Sequence, residues 1–172
     1  MGATIPLEAA TAGDLVRCHS KGVVGRGIRW AEWVRWRKGS HWNHFAWLDH
    51  FDGEWVIGQA QGSGVTIGST LGSVAPGGGC EIVPLPAGVD RAKVLEFLRA
   101  QVGRKYGFVT IASILITIIG PSFLNVMVPD TWICSAVVAE GLRAGGWIHN
   151  WPDVYQVSPA QLSEALEPDA PL

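Results

Sequence analysis

The sequence predicts an α+β chain in which an antiparallel sheet packs against helices. Three observations lead there: alternating apolar residues either side of a turn at 44–61, a capped amphipathic helix from Asp90 to Val102, and a second apolar helix opening at Cys134. With 172 residues and 48% of them apolar, the chain has material for one core, and we expect a single domain over 1–172. A formal net charge of −2 argues against nucleic acid as a partner, since phosphate binding needs clustered positive charge.

In chain order, Asp14 to Cys18 reads as a strand. A Gly-rich approach then leads into a helix from about Ile28 to Arg37, where Trp30, Trp33 and Trp36 interleave with Arg26, Arg29, Arg35, Arg37 and Lys38. That pattern gives an amphipathic helix with a solvated basic face, or one that meets a membrane surface or glycan. The next strand ends near Asp49 and turns through His50-Phe51-Asp52-Gly53. Its partner, Glu54 to Gln61, carries Trp55, Ile57, Gln59 and Gln61 on one face. A four-residue loop places Gln59 opposite His44, and a two-residue Asp-Gly loop places Gln61 there. In either register an amide shares the face of His44.

Residues 61–66 and 72–79 read as flexible connections, and 80–85 as a short strand. Asp90 caps a helix that lines up Val94, Leu95, Leu98 and Val102. The run 108–128 carries no charged residue, but Gly120-Pro121 divides it. The longer apolar piece, about twelve residues, falls short of the roughly twenty needed to span a bilayer. A buried core helix is the first reading of this run, an assembly or lipid-facing surface the second. Membrane contact is thus not favoured, and a protein partner through 108–128 is an open expectation.

Cys18, Cys80 and Cys134 leave one over in any pairing, so no disulfide framework is expected, and no zinc site either. Met1 to Ala12 has neither a basic region nor a long apolar one, so we expect no secretory signal; the sequence leaves the localisation unknown, cytoplasmic or virion-associated, with any export by another route.

The chemistry centres on Cys134. In Asp130-Thr131-Trp132-Ile133-Cys134-Ser135 the thiol stands at the start of an apolar helix behind an expected Asp-Thr cap. There, unpaired N–H groups and the positive end of the helix dipole favour thiolate. His44 lies about ninety residues upstream and would be its base.

Gly13-Asp14-Leu15-Val16, His44, Gln59-Ala60, Lys105-Tyr106-Gly107, Cys134-Ser135 and the closing Val157-Ser158-Pro159-Ala160-Gln161-Leu162 stand in an order and spacing that resemble one family. This is the permuted papain-like cysteine hydrolases, the NlpC-type superfamily in its YiiX and lecithin:retinol acyltransferase-like branch. The resemblance covers about residues 13–162 and implies a circularly permuted papain-like fold. It implies Cys134 as nucleophile, His44 as base and then acid, and Gln59 as the orienting third member, where the family often has His or Glu. His50 or Gln61 are alternatives for that third role. Tyr106 would pack beside the site as one candidate donor to an oxyanion, with the Ser135 N–H or a neighbouring helix-start amide as the preferred donor. Trp42, Trp132, Tyr106 and Gln61 are the candidate substrate-binding residues. The implied activity is amide cleavage in peptides, above all those of peptidoglycan, as in a bacterial or phage wall-degrading module, with no cofactor. Acyl transfer or thioester cleavage on lipid, and a non-catalytic assembly protein such as a virion component, are the alternatives.

Overall fold

The computed structural model describes residues 4–21, 26, 27, 29, 30, 33, 41–75, 79–107, 131–151 and 153–167. Five strands, β1 (Leu15–His19), β2 (His44–Phe51), β3 (Glu54–Gln61), β4 (Gly64–Ser69) and β5 (Gly79–Val83), form one sheet in the order β4-β3-β2-β1-β5. All neighbours in it are antiparallel. Because side chains alternate, each strand feeds two layers. Leu15, Phe45, Trp47, Ala60, Val65 and Val83 face one core, and Val16, Cys18, Ala46, Leu48, Ile57 and Ile82 face the other. The chain is therefore α+β, with a sheet buried on both sides at its centre.

The hairpin closes through two residues. Asp52 and Gly53 take φ of 50° and 85°, the left-handed pair that suits the twist of a tight hairpin. Phe51 then pairs with Glu54 and Ala46 with Gln59, so Gln59 faces the position two residues along β2 from His44 and is its diagonal neighbour on the same face. Over Gly58 lies the Trp47 ring: a Cβ on this glycine would stand 2.0 Å from the indole.

The stretch 61–66 is not a mere connection. Gly62 and Ser63 make a turn, and β4 follows as an edge strand whose β-branched Val65, Thr66 and Ile67 outweigh the flanking glycines. Within it, Gly58 pairs with Ile67 but Ile57 pairs with Ser69, which leaves Gly68 as an extra residue at φ 115°. This is a β-bulge, and it turns Ser69 onto the face that Ile57 and Gln59 share. Residues 71–74 form a short helix, α1 (Leu71–Val74), inside the second expected connection.

Helix α2 (Arg91–Ala100) starts where expected, the Asp90 carboxylate accepting from the N–H of Ala92 and Lys93 at 3.1 and 3.2 Å. It buries Val94 and Leu98 and stops before Val102, which is exposed. Helix α3 (Cys134–Ala144) packs against it through glycines. A Cβ on Gly145 would come within 2.5 Å of Val94, and one on Gly141 within 3.0 Å of Leu98. Two short strands, β6 (Lys105–Tyr106) and β7 (Thr131–Trp132), pair in parallel just ahead of α3. Finally α4 (Pro159–Leu166) is capped by Ser158, whose N–H in turn donates to the Gln161 side chain at 2.9 Å.

Two buried carboxylates tie α2 to the sheet. Asp49 takes a two-point hydrogen bond from Arg99, at 2.9 and 2.6 Å, and Asp14 pairs with Arg91 at 2.8 Å. The Cys18 and Cys80 thiols are joined in a disulfide, contrary to the expectation of none. The reason is topological: β1 and β5 lie side by side with these two residues as direct partners, across 62 residues of sequence.

Of the expected tryptophan helix, residues 29, 30 and 33 are described and helical, and the rest of 28–37 lies outside the described residues. The 108–128 run also lies outside them. Among the described residues no helix is long and apolar enough to cross a membrane.

Candidate active site

Cys134 is the first residue of α3, and its N-cap, Ile133, offers no side-chain acceptor. Of the expected Asp-Thr cap, Asp130 lies outside the described residues and Thr131 stands in β7 beside Lys105, three residues before Cys134. The sulfur itself accepts hydrogen bonds from the backbone N–H of Ser135, in the first turn, and of Phe45, in β2. Ser135 is fully buried, and its hydroxyl donates to the Val157 carbonyl at 2.5 Å, pinning the start of α3 to the segment that leads into α4.

His44 opens β2 and hydrogen-bonds the Cys134 side chain. Its Nε2 lies 2.9 Å from Gln59 Oε1 and so donates to that carbonyl oxygen. Nδ1 is left for the sulfur. The Gln59 side chain is only 2% exposed, and its NH2 donates to Ser69 Oγ at 2.9 Å. The resulting chain, Cys134, His44, Gln59, Ser69, joins α3 to three neighbouring strands.

Burial alone would push the Cys134 thiol up and the His44 imidazole down, each toward its neutral form. Their mutual attraction and hydrogen bond outweigh it. The thiol is held below its ordinary value and the imidazole above, the latter also through Gln59. The arrangement favours thiolate and imidazolium. Tyr106 feels the same sulfur. Burial first, and the negative charge on Cys134 second, hold its phenol far above the usual range, so it stays a hydrogen-bond donor at any working pH.

The other expected site residues divide. Trp132 belongs to the core: it is 7% exposed, stacks on Tyr155 at 5.1 Å and donates its indole N–H to Gln101 at 3.0 Å. Trp42 lies over the Arg17 guanidinium, 4.7 Å from its ring centre. Arg17 also pairs with Glu81 at 2.8 Å and with Glu167. Gln61 is exposed at the end of β3. His50 stands six residues along β2 from His44, about 20 Å away in an extended strand, and packs edge-on to Trp55. It is too far to support His44.

Ser69 and the Phe45 N–H were not foreseen. The first depends on the bulge at Gly68, whose only trace in the sequence is a glycine inside a β-branched run. Among the described residues no group of three His, Cys, Asp or Glu side chains is placed to hold a metal ion. No family model and no curated protein sequence matches this chain.

Proposed function

We propose that the chain is a thiol hydrolase of the permuted papain-like type, cleaving amide bonds in peptides, with peptidoglycan peptides as the first substrates to try. The observation that carries this is the Cys134–His44 contact at the start of α3, with the far nitrogen of His44 held by Gln59. A cysteine, an imidazole and an amide in that relation recur in papain-like proteases. The order of histidine before cysteine, and the resemblance of the flanking motifs, support the permuted form and the peptide substrate class.

In this mechanism the Cys134 thiolate attacks the amide carbon, forming a C–S bond while the carbonyl π electrons move to oxygen. Protonated Tyr106 and the Ser135 N–H at the start of α3 would donate to that oxygen. As the oxyanion collapses, the C–N bond breaks and the imidazolium of His44 gives its proton to the leaving amine. Neutral His44 then takes a proton from water, whose oxygen attacks the thioester and returns the thiolate and a carboxylic acid. Gln59 keeps Nε2 protonated throughout, so Nδ1 remains the working nitrogen.

The test is simplified by the disulfide, which leaves Cys134 as the free thiol. Iodoacetamide labelling followed by intact mass reads Cys134 directly. We expect its rate to reach half-maximum well below the ~8.5 of an ordinary cysteine. His44→Ala should move that midpoint up, and Cys134→Ala should abolish release of amines from wall peptides. A wild-type midpoint at or above that of free cysteine sinks the hydrolase reading and leaves a binding or assembly role.

A further inference from the structure

We propose that Ser69 is a positioning residue of this site, holding the Gln59 amide so that its oxygen faces His44; the proposal rests on the thiol hydrolase reading above. An amide has one accepting and one donating end of nearly equal size. Nothing steric tells them apart, so the partner at each end decides which way it points. His44 as imidazolium has only N–H groups to offer, so Gln59 must present Oε1 to it. The NH2 is then directed away, buried, and needs an acceptor of its own. Ser69 Oγ, at 2.9 Å, supplies it.

The backbone is built to bring this hydroxyl into place. Thr66 is the direct cross-strand partner of Gln59, yet its buried hydroxyl has no hydrogen-bond partner. Without the extra residue Gly68, position 69 would point to the opposite face of the sheet. The bulge therefore selects Ser69 over the nearer Thr66.

The consequence falls on one protonation state. Without the Ser69 hydroxyl, a neutral His44 can still be accommodated, because the amide can turn its NH2 toward an unprotonated Nε2. That turn puts the remaining ring proton on Nδ1, facing the sulfur, where a base is needed. The imidazolium has no such escape and leaves a buried NH2 unpaired. Ser69 thus favours the imidazolium, and with it the thiolate. Among the described residues, the titratable groups that bear on the sulfur are His44 from β2 and Tyr106 from β6, and the Tyr106 phenol remains protonated across the tested range.

The experiment is the pH dependence of Cys134 alkylation in wild type, Ser69→Ala, Ser69→Gly, Ser69→Thr, Thr66→Val and His44→Ala, with thermal unfolding of each as a check on folding. We expect Ser69→Ala and Ser69→Gly to react about tenfold more slowly than wild type below the wild-type midpoint, with the same plateau rate at high pH. Ser69→Thr, which keeps the hydroxyl, should restore the profile, and Thr66→Val should leave it unchanged. A merely structural role would lower thermal stability without moving the midpoint. The proposal is overturned if Ser69→Ala and Ser69→Gly keep the wild-type midpoint while His44→Ala shifts it, or if Thr66→Val shifts it as far as they do. Should His44→Ala itself leave the midpoint in place, the pair does not exist and the hydrolase reading falls together with the role of Ser69.

Discussion

Gln59 holds His44 with a dipole where a carboxylate would hold it with a full charge, and this sets what the pair can do. The sign follows directly. Thiolate and imidazolium coexist between the lowered pKa of Cys134 and the raised pKa of His44, so reactivity should rise as pH passes the first and protonation of the leaving group should fail as pH passes the second. Gln59→Glu adds a negative charge at Nε2 and should extend the upper limb by about one pH unit, read as the basic limb of kcat/KM on a peptide amide. Much of the site was open to inspection at this scale. His44, Gln59 and Cys134 could be placed by strand parity and helix position, because those depend on local period alone. The choice of Gln59 over Gln61 could not, since it depends on a diagonal contact between buried side chains. Trp132 could not be assigned from sequence, because a large aromatic beside a helix-start cysteine suits a binding wall and a core equally well; its burial and its bond to Gln101 are what the fold adds.

At the scale of elements, the hairpin carries the site and rests on a cross-strand contact. Gly58→Ala would drive a methyl into the Trp47 indole, and since both strands are central, relief requires the ring or the register to move. We expect a loss of about 1–3 kcal/mol in urea unfolding, as for other overpacked cores. The Asp49–Arg99 contact pins α2 to the same hairpin. Burial alone would raise the Asp49 carboxyl, but the Arg99 guanidinium and the His50 N–H outweigh it and hold the group below its usual range. A carboxyl depressed in the folded state contributes stability above its unfolded pKa, near 4, which is lost as pH falls through the folded value. Arg99→Ala should therefore cost about 2 kcal/mol at pH 7 and progressively less below about pH 4, measured as the difference in urea midpoint. Helix α2 was legible because its cap and its buried stripe are local signals. Strand β4 was hidden because glycine at 62, 64 and 68 reads as loop until its neighbour β3 is there to pair with it.

For the whole molecule, strand β5 returns across 62 residues to close the sheet, and the disulfide fixes it beside β1. Cross-linking a loop of that length removes unfolded-state entropy worth about 4 kcal/mol on the chain-entropy account. Reduction, or paired Cys18→Ser and Cys80→Ser replacement, should lower unfolding stability by up to that amount in guanidinium titrations. Neither the pairing of β1 with β5 nor this bond was legible, because a sheet order is a non-local fact that three scattered cysteines do not encode. The same non-locality bears on Cys134. His44 and the Phe45 amide reach the sulfur only when α3 is docked on β2, and Gln59 reaches His44 only when β3 is paired. Before those contacts form, the thiol has neither the imidazole nor the strand amide beside it and titrates as an ordinary cysteine, at ~8.5. On the proposed reading the thiolate–imidazolium pair comes into being with the last long-range contacts of folding, so low-pH reactivity of Cys134 during refolding should trail the recovery of secondary structure.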